Sequence, residues 1–168
     1  MSPPQAPFSQ IVRLADADAT TRFAQWVAPL VQAGDCLLLQ GPIGAGKTHF
    51  ARALITHLLA QQGCAEDIPS PTFTLVQTYQ TGTVEIWHCD LYRLSNPVEA
   101  LELGLDEAFE QALCLIEWPE RLGNLVPDQA LLLQFNPQPD DSRILTASAG
   151  APRWQPLLSA MTEWRDAV

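Results

Sequence analysis

Residues 41–48 read Gly-Pro-Ile-Gly-Ala-Gly-Lys-Thr and match the pattern GxxxxGK[ST] at every position. Lys47 is the single lysine among 168 residues, and arginines supply all the other positive charge. Such a loop suits a polyphosphate. Glycines let successive backbone N–H groups turn inward around phosphate oxygens. A helix starting here would aim about half a positive charge at the same place. On this reading Gly41, Gly44, Ala45 and Gly46 form the cradle and Lys47 reaches the β and γ phosphates. The Thr48 hydroxyl would ligate Mg²⁺, a hard ion that prefers oxygen.

A metal-bound phosphate site also needs a carboxylate at the end of a neighbouring strand. There it can hold Mg²⁺ or a magnesium-bound water, or polarise the attacking water. Asp90 closes the run VEIWHCD and Glu117 closes ALCLIE. Both would emerge at the carboxyl edge of a sheet, where such sheets bind ligands. Either residue alone would pass for an ordinary turn residue ending a strand. The two together beside a P-loop point to chemistry. His88 shares a strand face with Asp90, and both assistance at the phosphate and plain packing are open to it. Ser70-Pro71-Thr72-Phe73-Thr74 precedes that strand. Its hydroxyls could sense a terminal phosphate as switch loops do, or simply make a turn. His49 and His57, in the segment after the P-loop, receive no role.

Guanine recognition of the NKxD type needs a second lysine, and the chain has none. Asp90 is followed by Leu91-Tyr92-Arg93, which is not DxxG. Adenine is therefore the expected base, and Mg²⁺ and ATP the expected ligands.

The elements that must position these groups follow from periodicity and turn signals. Helical spacing of Phe23, Val27, Leu30 and Val31 predicts a helix over 17–31, ended by Gly34. A buried strand is expected over 35–40 and a helix over 48–59, ending near Gly63. Residues 72–79 and 84–90 read as paired strands around a turn at 80–83. Helices are expected over 97–103 and 106–112, and a buried strand over 112–117. Residues 130–136 and 143–148 read as a hairpin, and 154–167 as a closing helix. The proline-rich start, 1–9, is expected to be loose. Strands mixed with helices in this order predict a single α/β domain over 1–168. Its sheet would be a layered one of P-loop NTPase type, with a parallel core and an antiparallel hairpin portion.

Composition narrows the function. The net charge is −10, which repels polyanions and lacks the basic footprint of a nucleic-acid binder. Direct binding of a nucleic acid by the chain alone is therefore not expected. No apolar run approaches the ~18 residues of a membrane span, and the N-terminal residues lack the pattern of a signal peptide. Cys36, Cys64, Cys89 and Cys114 stand far apart with no CxxC, which argues against zinc. Buried free thiols in a reducing cytoplasm are the simplest account.

GPIGAGKTHFARAL, SPTFTLVQTY, HCDLYRL, ELGLDE and LIEWPERLG, in this order and spacing, resemble the bacterial TsaE (YjeE) ATPases. The likeness runs over about residues 16–135. The P-loop is shared by many families, whereas SPTF, HxDLYRL and IEWPE are specific to this one. The resemblance implies ATP hydrolysis in the service of the threonylcarbamoyladenosine modification of tRNA. It implies the partners TsaD, the transferase subunit, and TsaB, its companion, with hydrolysis resetting the assembly between rounds. It implies that Lys47 contacts phosphates, that Thr48 and Glu117 ligate Mg²⁺ and that Asp90 is essential for hydrolysis. It places Trp118 and Glu120 at the border of the nucleotide and Thr20 near the adenine. Two positions depart from the family pattern: Ala24 stands where glycine is usual, and Pro42-Ile43 replaces Asp-Leu. Pro42 has no N–H to donate.

Two other readings compete with a partner-dependent ATPase. A small-molecule kinase would gather cations around the transferred phosphoryl group; Arg52, Arg93 and Arg121 are the available ones, and no basic lid segment is evident. A nucleotide-gated binding module would show negligible turnover.

Overall fold

The computed structural model describes residues 8–64, 67–71, 73–82 and 84–166. Among these residues seven strands build one sheet: β1 (Phe8–Leu14), β2 (Cys36–Gln40), β3 (Val76–Thr81), β4 (Val84–Asp90), β5 (Leu113–Glu117), β6 (Leu131–Pro137) and β7 (Arg143–Ala149). Their order is β1-β7-β6-β2-β5-β4-β3. β6, β2, β5 and β4 run parallel in the centre. The hairpins β3/β4 and β6/β7, with β1 added to β7, are antiparallel. The sequence expectation of a parallel core with antiparallel hairpins holds.

The central strands are apolar on both faces because both are covered, as parallel sheets require. Leu37 and Leu39 of β2 and Leu113 and Leu115 of β5 face one core. That core is closed by α1 (Ala17–Val27), α2 (Lys47–Gln61) and α5 (Gln155–Met161). Its aromatic centre is Phe23, which contacts Trp26, Phe50 and Trp164 with ring centroids 5.6, 6.2 and 5.2 Å away. Burying such a side chain contributes about 1.5–3 kcal/mol. Ala24, at the position where the resembled family usually has glycine, is fully buried in the same core. The alternate residues Cys36, Leu38, Cys114 and Ile116 face a second core under α3 (Val98–Glu102) and α4 (Leu105–Gln111). Cys36, Cys89 and Cys114 are buried there as free thiols, and Cys64, just past α2, is exposed. Burial pushes all three buried thiols up, Cys114 to about 12.

Several boundaries differ from the sequence reading. Phe8 and Ser9 belong to β1, so the segment expected to be loose through residue 9 is ordered from Phe8; residues 1–7 lie outside the described residues. β1 exists because its backbone pairs with β7 along its whole length. Only Val12 and Leu14 are buried in it, so its apolar pattern is weak. The first helix stops at Val27 and tightens into a 3₁₀ turn over Ala28–Leu30, because Pro29 cannot donate to the carbonyl four residues back. β3 starts at Val76 because Leu75 sits at φ 66° in a turn and donates its N–H to the carbonyl of Pro71. The closing helix is shorter than expected. Trp154 lies in a preceding 3₁₀ turn, with its indole N–H donating to Gln129 O at 2.6 Å. Past the helix the chain is tied to α1 by the Arg22–Asp166 ion pair.

Candidate functional site

β2 delivers the chain to the loop at Gly41, and α2 starts at its end. Gly44 and Gly46 sit at φ 80° and 104°, and Gly46 is the residue on which α2 begins. An L side chain rarely adopts this region. At Gly41 an added Cβ would lie 2.6 Å from the carbonyl oxygen of Phe135, which admits only glycine. The Ala45 N–H donates to Pro42 O at 3.1 Å, so the proline still closes the turn through its carbonyl. Ala45 is fully buried, whereas Ile43 projects into solvent.

Sheet order supplies the rest. β5 lies between β2 and β4, and Asp90 and Glu117 are register partners at the carboxyl ends of their strands. Thr48, in the first turn of α2, donates its hydroxyl to Glu117 Oε1 at 2.6 Å. Glu117 Oε2 is 2.7 Å from His88 Nε2, and both side chains are fully enclosed. A carboxylate only accepts, so the hydrogen of this bond is on His88 Nε2. Asp90 is also buried; its Oδ1 accepts the Tyr92 N–H at 3.0 Å, and its own N–H donates to Leu75 O at 2.9 Å.

Lys47 is buried, and its Nζ donates to Gly41 O at 2.5 Å and lies 3.5 Å from the Trp118 ring centroid. Burial lowers the pKa of the ammonium, and Glu117, Glu120 and Asp90 oppose that shift. Trp118 can turn its ring over Lys47 because its backbone is left-handed, φ 60° and ψ 53°, immediately after β5. The Tyr92 ring packs against the Trp118 ring at a centroid distance of 4.9 Å. Glu120 is solvent-exposed in the following 3₁₀ segment Pro119–Leu125.

Thr20 is fully buried in α1 and accepts from Arg143 Nη1 at 2.9 Å. The same guanidinium lies against Gly46, with Nη1 3.4 Å from where a Cβ would be. Arg143 therefore joins Thr20 to the P-loop. The sequence reading missed it, because Thr20 is 123 residues away in the chain and no local signal marks such a contact. The Thr48–Glu117–His88 chain of hydrogen bonds also had no local signal beyond the strand ends.

The remaining candidates fall elsewhere. His49 Nε2 lies 2.7 Å from Thr21 Oγ1, and His57 lies near Gln61. Arg52 lines an open groove with Thr21, His49 and His57. Arg93 stacks over Phe73 at 4.8 Å, and Arg121 is exposed. Within the Ser70–Thr74 segment, Thr74 Oγ1 accepts from Gln77 Nε2 at 2.8 Å; Thr72 lies outside the described residues.

With this geometry in place, the chain can be set beside known proteins. The family model for the threonylcarbamoyl adenosine biosynthesis protein TsaE matches residues 14–145. The chain belongs to the TsaE family. The Rickettsia bellii TsaE protein is 41% identical over 133 residues, 78% of this chain and 89% of that one. The Bacillus subtilis protein is 32% identical over 151 residues, 89% of this chain and 92% of that one. The crystal structure of Bacillus subtilis YdiB matches with a TM-score of 0.74 at 29% identity, covering 92% of this chain and 95% of that chain. The TsaE family takes part in tRNA threonylcarbamoyladenosine biosynthesis, which agrees with the resemblance read from the motifs. Among the described residues no helix is long and apolar enough to cross a membrane.

Proposed function

We propose that this chain binds Mg·ATP between Gly41 and Thr48 and hydrolyses it in the cytoplasm, within the assembly that installs threonylcarbamoyladenosine on tRNA. TsaD and TsaB are the partners this reading names. The observation that carries it is the convergence of Thr48, Glu117 and Asp90 beside a P-loop whose lysine is buried and within hydrogen-bonding reach of Gly41 O.

The donor set fits magnesium. Thr48 Oγ1, Glu117 and Asp90 offer oxygen alone, the ligand type a small hard cation takes. Thr48 and Glu117 would hold the ion, which would neutralise phosphate charge when bound. The chain's own groups account for the other tasks. Backbone N–H groups of the loop and the start of α2 bind phosphate oxygens. Lys47 leaves Gly41 O and Trp118 for the phosphates. Asp90 orients a water or the ion's hydration shell. Arg143 and Thr20 border the far side of the loop. Trp118, Tyr92 and Glu120 border the near side.

A small-molecule kinase is disfavoured because Arg52 lines a groove with Thr21, His49 and His57, Arg93 stacks over Phe73, and Arg121 is exposed to solvent. The deciding experiment follows labelled ATP with the chain alone and with the partner subunits. Phosphate released to water, faster with partners, is the expected result. Transfer to an acceptor supports the kinase, and no turnover in any mixture supports a binding module.

A further inference from the structure

We infer that His88 is a positioning residue that fixes the Glu117 carboxylate for the cation, an inference that rests on the Mg·ATP reading. His88 and Asp90 lie on one face of β4, and Glu117 is the register partner of Asp90 on β5. The two oxygens of Glu117 are held by different elements. Thr48 takes Oε1 from α2 at 2.6 Å, and His88 takes Oε2 from β4 at 2.7 Å. The oxygen on the Thr48 side is the one beside the phosphate loop. His88 thus occupies the lone pairs that face away from it and stops the carboxylate from rotating about its terminal bond.

The other ring nitrogen sharpens the point. Nδ1 is buried without a hydrogen-bond partner among the described residues. Enclosing an unpartnered polar nitrogen is costly. An apolar side chain would fill the same space between the strands without that cost. What an apolar side chain cannot supply is the N–H on Glu117. Groups that orient a ligating carboxylate in this way typically matter about 10–100-fold to metal affinity.

The test is calorimetric titration of ATP, with Mg²⁺ and with chelator, into the full chain and three variants. Metal-free ATP binding reports an intact loop in each. His88→Leu should lose about tenfold or more of the gain in affinity that Mg²⁺ gives, with metal-free binding within about twofold of wild type. His88→Asn keeps polarity but is too short to reach Oε2, and should behave like His88→Leu. His88→Gln can place an N–H at Oε2 and should recover most of the gain. An unchanged Mg²⁺ gain in His88→Leu or His88→Asn overturns the inference, as does a loss in His88→Gln equal to theirs. A wild-type chain that binds ATP without any Mg²⁺ gain overturns both this inference and the metal reading beneath it. One with a normal gain, matched by all variants, overturns this inference alone.

Discussion

The ammonium of Lys47 is held between the carbonyl of Gly41, at 2.5 Å, and the face of Trp118, 3.5 Å from the ring centroid. Both contacts use the charge, and a phosphate must compete with both. Lys47→Ala should weaken ATP binding about 10–100-fold, since a charge-assisted hydrogen bond contributes about 1.5–3 kcal/mol. Calorimetry measures it directly. Wild-type affinity in this variant would take the phosphate role away from the chain's single lysine.

The two strand-terminal carboxylates should separate binding from turnover. Glu117→Ala removes the partner of both Thr48 and His88, so Mg·ATP should weaken more than metal-free ATP. Asp90→Ala should lower hydrolysis while leaving affinity largely intact. Normal hydrolysis in both variants would reduce the pair to turn residues.

Arg143→Ala opens the far side of the loop, because its guanidinium spans Thr20 and Gly46. Nucleotide affinity should fall several-fold, on the order of 1 kcal/mol. Thr20→Val tests the route: added to Arg143→Ala it should cost little more, the signature of two residues acting as one contact. Additive losses would mean that they act separately.

Gly41→Ala is a stability prediction independent of any ligand. The new Cβ would meet Phe135 O at 2.6 Å, and that oxygen belongs to the backbone of β6. A cost of about 2–3 kcal/mol is expected, or roughly 5–10 °C in thermal unfolding. Gly63→Ala is the control: its φ is also positive, but no atom lies within 4 Å of the added Cβ, so the fall should be clearly smaller. Equal falls would show that backbone angle, not the approach of β6, excludes side chains at Gly41.

The isolated chain should not bind free tRNA. Nine cationic side chains face nineteen acidic ones, and affinity for a polyanion comes largely from cations that release condensed counterions. Arg22, Arg153 and Arg13 are engaged in ion pairs, and Lys47 sits in the loop. Anisotropy at physiological salt should show no micromolar binding. Binding that disappears when an arginine cluster is mutated would identify an RNA surface on this chain.

Much of the site was legible because its signals are local. GxxxxGK[ST] needs eight adjacent residues, and Asp90 and Glu117 stand at the ends of apolar runs that announce buried strands. The parallel core was legible for the same reason: β2 and β5 are apolar without alternation. β1 was not, because FSQIVRL buries only two side chains and owes its existence to β7, more than a hundred residues later. Arg143 and the His88–Glu117 bond were hidden for a related reason. The bond depends on β4 and β5 becoming neighbours, and Arg143 on where β7 lies beside α1 and the loop; both are properties of the whole fold.

The distribution of thiols turns the molecule into its own reporter. Cys36, Cys89 and Cys114 are enclosed and held as unreactive thiols, while Cys64 stands in solvent. A maleimide at neutral pH should therefore attach one dye per folded chain, without mutagenesis. α2 has 15 residues and so spans about 22 Å. The dye sits at one end of this rod and Lys47 at the other. A fluorophore there can follow the docking of another subunit, or the slow release of the three hidden sulfurs on unfolding, without touching the phosphate loop.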